Sequence, residues 1–236
     1  MDEGQDRREI QAATGQVLGV HNCTIDVEEG EILVLMGLSG SGKSTLLRAV
    51  NGLNPLARGS VSVTEGGTMV NVTQANTATL RRLDEPFSAL DPLIRTKLQD
   101  ELLDLQRQLR RTIIFVSHDL DEAFKLGNKI AIMEGGRIVQ AGTPQDIYRA
   151  PTNDYVADFI KHMNPLGVLR ARDLMQPVNG AAQGALPADT LIKDGMDRLI
   201  GATHPIGVEE NGALIGQLSK DDLLTGLARG SGVSTE

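Results

Sequence analysis

The chain is punctuated by short unbroken apolar runs set between polar, glycine-rich stretches. Ile32-Leu33-Val34-Leu35-Met36 is one such run, and Ile113-Ile114-Phe115-Val116, within Thr112 to Ser117, is another. A run this short with no polar alternation predicts a strand buried on both faces, as in a mostly parallel sheet. Thr24-Ile25-Asp26-Val27 instead alternates polar and apolar, which predicts a half-buried strand ahead of a Glu29-Gly30 turn. Residues 16–36 therefore read as strands. Helical spacing follows, with Lys43 to about Asn51 reading as a helix stopped by Gly52. Between Pro92 and Arg111, Leu98, Leu102, Leu105 and Leu109 recur at three- and four-residue spacing with charges between, predicting an amphipathic helix. Asp119 to Leu126 reads as a short helix ended by Gly127. Lys129–Met133 and Arg137–Gln140 read as a hairpin around Glu134-Gly135-Gly136. Val61 and Val63, then Val70 and Val72, alternate on either side of Gly66-Gly67, which suggests a small antiparallel piece.

Toward the C-terminus, Thr143-Pro144-Gln145-Asp146 combines a capping residue, a first-turn proline and an early acid, a helix start. A further helix runs from about Asn153 to His162, and Asn164-Pro165 marks a boundary. Strand and helix alternate up to that point, so residues 1–164 are read as an α/β domain. Residues 165–236 read as a small α+β unit. Its helices are expected at Thr190 to Ile200 and Lys220 to Ala228, its strands at Pro205–Val208 and Ala213–Leu218. No long repeat or low-complexity segment interrupts either part.

Composition narrows the function classes. With 236 residues and 40% hydrophobic content the chain can build a core. Its net charge of −8 argues against a generic nucleic-acid binder, and 3% aromatic content with no Trp argues against base-stacking platforms. The lone Cys23 cannot form an internal disulfide, which fits a reducing compartment. The opening residues MDEGQDRREI lack the basic start and apolar stretch of a secretory signal, and Ile32–Met36 is too short to span a bilayer. The expected location is cytoplasmic, either free or peripheral to a membrane through a partner.

The strongest chemical signal is Gly37-Leu38-Ser39-Gly40-Ser41-Gly42-Lys43-Ser44-Thr45, which fits G-x-x-x-x-G-K-[ST] between a buried strand and a helix. Glycines let successive backbone N–H groups turn toward phosphate oxygens, and the helix N-terminus adds a favourable dipole. Lys43 supplies a point charge for β- and γ-phosphates, and Ser44 a hydroxyl for Mg²⁺. A phosphate site of this type needs a carboxylate near the metal, and Asp84 is the candidate. Glu85, beside it, could orient or deprotonate water. An isolated Asp-Glu pair is also a common solvated surface feature. His118 ends the second apolar run at the expected carboxyl edge of the sheet, where open α/β proteins bind ligands. It reads either as a γ-phosphate contact or as a structural histidine.

Taken together these segments resemble the ATP-binding subunits of ABC transporters. Gly37–Thr45 corresponds to Walker A, Asp84-Glu85-Pro86 to the end of Walker B, Ser88-Ala89-Leu90-Asp91 to the D-loop, and Val116-Ser117-His118-Asp119 to the H-loop. Residues 32–43 and 84–92, the stretch from Ile130 onward, and 154–159 followed by His162-Met163-Asn164-Pro165-Leu166 are similar to the quaternary-amine branch, which imports glycine betaine, proline betaine or choline. The resemblance implies a P-loop NTPase fold binding ATP and Mg²⁺, with the ion on Ser44 and Asp84. It implies Glu85 and His118 in catalysis and Asp91 at the interface with a second copy. It also implies two membrane permease subunits, indirectly a substrate-binding protein, and a peripheral place on the inner membrane face. Subunits of that branch carry paired cystathionine-β-synthase-type (CBS) motifs, and residues 189–229 resemble one of them.

The chain departs from the family in three places. Only 40 residues separate Lys43 from Asp84. The family's longer interval holds the Q-loop glutamine, a helical subdomain and the LSGGQ signature, and no LSGGQ-like segment occurs here. Gln74 lies in a polar stretch ahead of the Q-loop position and is not assigned to it. Leu80-Arg81-Arg82-Leu83 stands where an apolar Walker B strand should lead into Asp84, and two arginines are costly to bury unpaired in a central strand. The expectation is an internal deletion ending near Leu83, leaving an ABC-type core without most of its helical subdomain. Finally, Ala12-Ala13-Thr14-Gly15 offers no aromatic to stack on adenine. Such a chain is expected to bind nucleotide weakly and to be hydrolysis-defective. Other readings are an unrelated soluble P-loop NTPase, a nucleotide-sensing regulatory module, and a poorly folded remnant.

Overall fold

The computed structural model describes residues 7–15, 17–65, 68–72, 81–84 and 91–230. The chain divides into two compact units between Thr143 and Pro144.

The first unit opens with helix α1 (Arg7–Thr14), which the polar opening sequence did not announce. Strand β1 (Ile32–Met36) follows and is buried at every residue. A five-stranded sheet is built around it in the order β4-β5-β1-β6-β7. Strands β5 (Ile113–Val116) and β6 (Lys129–Glu134) flank β1 in parallel, with Leu35 level with Val116 on one side and Ala131 on the other. The continuous apolar runs end where burial on both faces rewards them, at roughly 1.5–3 kcal/mol per large side chain. Helix α2 (Lys43–Val50) lays Leu46 and Leu47 against Leu33, Leu35, Ile114, Val116 and Met133. Strand β7 (Arg137–Gly142) returns antiparallel to β6 through a Gly135-Gly136 turn in which both φ angles are positive, as expected of a two-residue hairpin. The small ladder β2 (Ser62–Glu65) with β3 (Thr68–Asn71) forms as expected.

Several expectations need correction. Residues 23–28 belong to no strand, although their burial alternates: Cys23, Ile25 and Val27 turn toward the core. The alternation reports a half-buried extended segment and says nothing of a hydrogen-bonded neighbour. Arg81–Asp84, read as too arginine-rich for a central strand, does form a strand, β4, paired in parallel to β5. Its place is the outer position of the described sheet, where arginines are tolerated.

Helix α3 (Pro92–Leu109) forms where expected, but of the four leucines read as its apolar face only Leu102 is half-buried and the other three are exposed. Leu98, Leu105 and Leu109 are 37%, 52% and 56% exposed, whereas Gln99 is buried. Helix α4 (Leu120–Leu126) then leads into β6.

The second unit begins with α5 (Pro144–Arg149) and α6 (Asp154–Ile160), both of which had been assigned to the first domain. Gln145 Nε2 donates to the Val168 carbonyl (3.1 Å), Arg149 Nη2 to Asp173 Oδ1 (2.9 Å), and Tyr148 packs on the unit's core. These links place α5 with the later residues. A 3₁₀ turn (Pro165–Gly167) and a short helix α7 (Ala171–Leu174) follow. Then come β8 (Ala185–Pro187), α8 (Ile192–Gly201), β9 (Ile206–Glu210), β10 (Ala213–Leu218) and α9 (Lys220–Gly230). The three strands order as β10-β9-β8, with β8 parallel and β10 antiparallel to β9. Asn211-Gly212, both at positive φ, close the β9–β10 hairpin. Leu169, Leu186, Ile192, Leu199, Ile206, Val208 and Leu218 fill the core. The α+β reading of this part holds. The sequence had not indicated α7 and β8.

Candidate functional site

The loop after β1 leaves the buried strand at Gly37 and enters α2 through Gly42. Gly37 has φ +140°, and a Cβ there would lie 2.2 Å from the Met133 carbonyl oxygen, so only glycine fits. Gly42 caps α2 at φ +102° with no side-chain cap, which leaves the helix's first amides without an intrahelical acceptor. Leu38, Ser39 and Gly40 are exposed at the tip of the loop. Lys43 folds back along it, donating from Nζ to the carbonyls of Gly37 (2.8 Å) and Leu38 (3.1 Å). Ser41 Oγ is buried with no hydrogen-bond partner among the described residues. Ser44 is exposed on the first turn, and Thr45 is half-buried beside it. Glycine curvature, an ammonium drawn across the loop and an orphaned hydroxyl together suit a polyphosphate anion.

The sheet register brings the other candidates to the same edge. Asp84 ends β4 level with Val116, and Val116 is level with Leu35, two residues before Gly37. Because β5 lies between β4 and β1, Asp84 stands two strands from the loop, about 10 Å across the sheet. His118 follows β5 and is exposed at this edge. Asp91 lies at the start of α3, where its carboxylate accepts from the Leu93 amide (2.9 Å), a helix cap. Glu85 lies outside the described residues, as do Gln74 and Ser88-Ala89-Leu90.

The turn that carries His118 is held by a buried polar network that sequence reasoning missed. Ser117 and Glu122 hydrogen-bond side chain to side chain, and the Asp119 amide donates to Ser117 Oγ (3.0 Å). Gln99 Nε2 on α3 donates to Glu122 Oε1 (3.1 Å). Arg95 pairs with Asp119 (3.1 Å), and Lys125 with Asp100 (2.7 Å). Together they fix α3 to the β5–α4 turn. The available signal was the polar spacing of Arg95 and Gln99 along α3, overshadowed by the leucines. Burial raises the Cys23 thiol above its ordinary range. No helix among the described residues is long and apolar enough to cross a membrane. No group of three His, Cys, Asp or Glu side chains able to hold a metal occurs among them. A magnesium ion in such a site relies on phosphate and water oxygens as well as protein groups.

Comparison with known proteins agrees with this geometry. Residues 20–134 match the family model described as ABC transporter. The glycine betaine/proline betaine transport system ATP-binding protein ProV of Escherichia coli (strain K12) is 31% identical over 321 aligned positions, covering 99% of this chain and 79% of that protein. The chain belongs to the ABC-transporter family of ATP-binding subunits. This ABC subunit is also 30% identical to the glycine betaine transport ATP-binding protein OpuAA of Bacillus subtilis (strain 168), over 93% of the chain and 71% of the relative. The glycine betaine/carnitine/choline transport ATP-binding protein OpuCA of the same organism is 55% identical over 78 residues, covering 33% of the chain and 20% of the relative. These relatives place it in the quaternary-amine branch, an α/β P-loop ATPase family that uses ATP with Mg²⁺. The E. coli alignment spans 321 positions against 236 residues here, so at least 85 of its positions have no counterpart in this ABC subunit.

Proposed function

We propose that this chain is the ATP-binding subunit of an importer for a quaternary amine such as glycine betaine or choline, and that in its present form it holds nucleotide without powering transport. The observation that carries the first part is the glycine-cradled loop with Lys43 drawn across it, in a chain that aligns to such subunits along nearly its whole length. Gly37–Thr45 would hold the phosphates, with Ser44 and Asp84 toward Mg²⁺. Glu85 is assigned to water activation, His118 to the γ-phosphate, and Asp91 to the contact with a second copy. The bound ion supplies charge neutralisation at the β- and γ-oxygens. Two membrane permease subunits, fed by a substrate-binding protein, would place the subunit on the inner face of the membrane. The CBS-like unit after residue 164 is assigned a regulatory role.

The second part rests on what the sequence lacks. The 40 residues between Lys43 and Asp84 hold no LSGGQ-like segment, and we assign the missing alignment positions to this interval. In the family, ATP is closed between the P-loop of one copy and the LSGGQ of the other. Phosphoryl transfer depends almost wholly on positioning and charge stabilisation, so removing one side of the γ-phosphate's surroundings costs orders of magnitude in rate. The helical subdomain that docks the permease would go with it.

Steady-state ATP turnover with Mg²⁺, measured beside Lys43→Ala and Glu85→Gln, tests this. The expected result is nucleotide binding lost in Lys43→Ala and no turnover in the unmodified chain above the Lys43→Ala background. Turnover that both substitutions abolish would overturn the defect. Binding that survives Lys43→Ala would overturn the site.

A further inference from the structure

Two segments distant in sequence from the phosphate-binding loop meet its backbone at close range, with the Val20 side chain beside the junction. At the β6–β7 turn, the Gly136 amide donates to the Ser41 carbonyl (3.0 Å), and the Gly136 carbonyl accepts from the His21 amide (2.7 Å). A Cβ built on Gly136 would lie 2.8 Å from the Gly19 carbonyl oxygen. One built on Gly42 would lie 2.7 Å from the same oxygen and 3.4 Å from the Gly136 Cα. On the far side of the junction, a Cβ on Gly19 would lie 2.8 Å from Thr45 Cγ2. Three stretches of main chain thus touch at Gly19, Gly42 and Gly136, beneath the point where the loop turns into α2.

We propose that Gly136 and Gly19 are positioning residues for the phosphate-binding loop, holding the Ser41–Gly42 backbone in the curvature that receives a nucleotide's phosphates. This rests on reading Gly37–Thr45 as the phosphate site. The directions of the loop amides are set by the dihedrals around Ser41 and Gly42. Those dihedrals are braced from outside by one hydrogen bond and by two carbonyl-to-Cα approaches too close for any side chain. A methyl group at Gly136 must displace either the Gly19 carbonyl or the turn. The turn carries the amide that ties down Ser41, so both routes alter the loop. Gly135, in the same turn, is the matched comparison. It too has a positive φ, +57° against +86°, but its Cβ would meet nothing within 4 Å. Gly135→Ala carries the backbone strain of a left-handed alanine without the collision.

The experiment is calorimetric titration of the full chain with Mg²⁺–pyrophosphate and with Mg²⁺–ATP, alongside thermal melts of the unliganded protein. Pyrophosphate reports on the cradle alone, without the base. Gly136→Ala is expected to weaken pyrophosphate binding about 10- to 100-fold beyond Gly135→Ala, as misplacement of a binding group by part of an ångström does. Gly136→Ala should melt below Gly135→Ala because of the collision, and both should be fully folded at the titration temperature. Equal affinity in both variants, or an equal loss in both, overturns the inference and leaves the phosphate site intact. If the unsubstituted chain binds neither ligand better than Lys43→Ala does, the phosphate-site reading fails and this inference with it. Should Gly136→Ala fail to fold, Gly19→Ala carries the test. Its Cβ comes closest to the Thr45 methyl, 2.8 Å away against 3.5 Å for Thr45 Cβ and Oγ1, so its loss of affinity should shrink in a Thr45→Ser background, a double-mutant cycle in which simple addition of the two effects overturns the proposal.

Discussion

Phe115 and Leu105 are both large apolar side chains in regular elements of the first unit. Phe115, on β5, is wholly buried, whereas Leu105, on α3, is 52% exposed. Around β1 each apolar run is enclosed by a neighbour on either side and by α2 above. On its β4 side the described sheet ends at a strand containing two arginines, and helix α3 turns the buried Gln99 toward Glu122. Among the described residues the apolar core is therefore closed about β1, whereas α3 presents Leu98, Leu105 and Leu109 to solvent. In our reading the β4 side is also where the chain is shorter than its relatives, since β4 begins at the short junction. In that reading the exposed leucines of α3 are the face that the missing element would cover.

The largest test of this contrast is a pair of truncations. Phe115→Ala should cost about 3–5 kcal/mol of unfolding free energy through lost burial and a residual cavity. Leu105→Ala should change stability by no more than about 0.5 kcal/mol, as exposed substitutions do. Urea denaturation of both variants gives the difference directly, and similar costs would mean that the α3 stripe is covered after all.

The buried polar side of α3 should come next. Glu122→Ala strips partners from Gln99 and Ser117 in a water-poor site, and leaving them unpaired should cost about 1–3 kcal/mol. Gln99→Leu removes only one of those partners and should cost less. If both variants melt like the parent, the network does not tie α3 to the His118 turn. A smaller effect belongs to Asp91, whose carboxylate caps α3. Asp91→Ala should lose about 1 kcal/mol, with Asp91→Asn retaining most of it.

These contrasts also show what the sequence could convey. Ile32–Met36 and Ile113–Val116 announce themselves because an unbroken apolar run has one stable setting, between two neighbours. Gly37–Thr45 is legible because its chemistry is local: the curvature, the ammonium and the helix start all lie within one short segment. The stripe on α3 was visible as a period but not as an environment, since spacing tells which side chains share a face and not what lies opposite. Thr24–Val27 misled for the same reason: alternation marks a half-buried extended chain, while strand pairing is a property of two segments. Gly136 and Gly19 were out of reach, because their constraint exists only once the hairpin and the N-terminal segment meet the loop. Glu122 was hidden similarly, as its partner Gln99 is remote in sequence.

The smallest stability effect sharpens the comparison most. Leu98→Lys combined with Leu105→Lys adds two charges to an exposed face at a helix position that lysine favours intrinsically. Unfolding free energy should stay within about 0.5 kcal/mol of the parent. What should change is the behaviour of the folded surface. Contiguous exposed leucines attract environment-sensitive dyes and other apolar surfaces, and charges in their midst oppose both. Dye fluorescence of the native protein should fall in the double variant while far-UV dichroism is retained. The complementary manipulation inserts, ahead of Asp84, the stretch that the E. coli relative carries and this chain lacks. If the stripe is the seat of that stretch, the insertion should lower dye binding as the lysines do, and Leu105→Ala should then become as costly as a core truncation. If instead the insertion leaves Leu105→Ala neutral, the missing stretch does not cover α3, and the exposed leucines belong to this protein's own design.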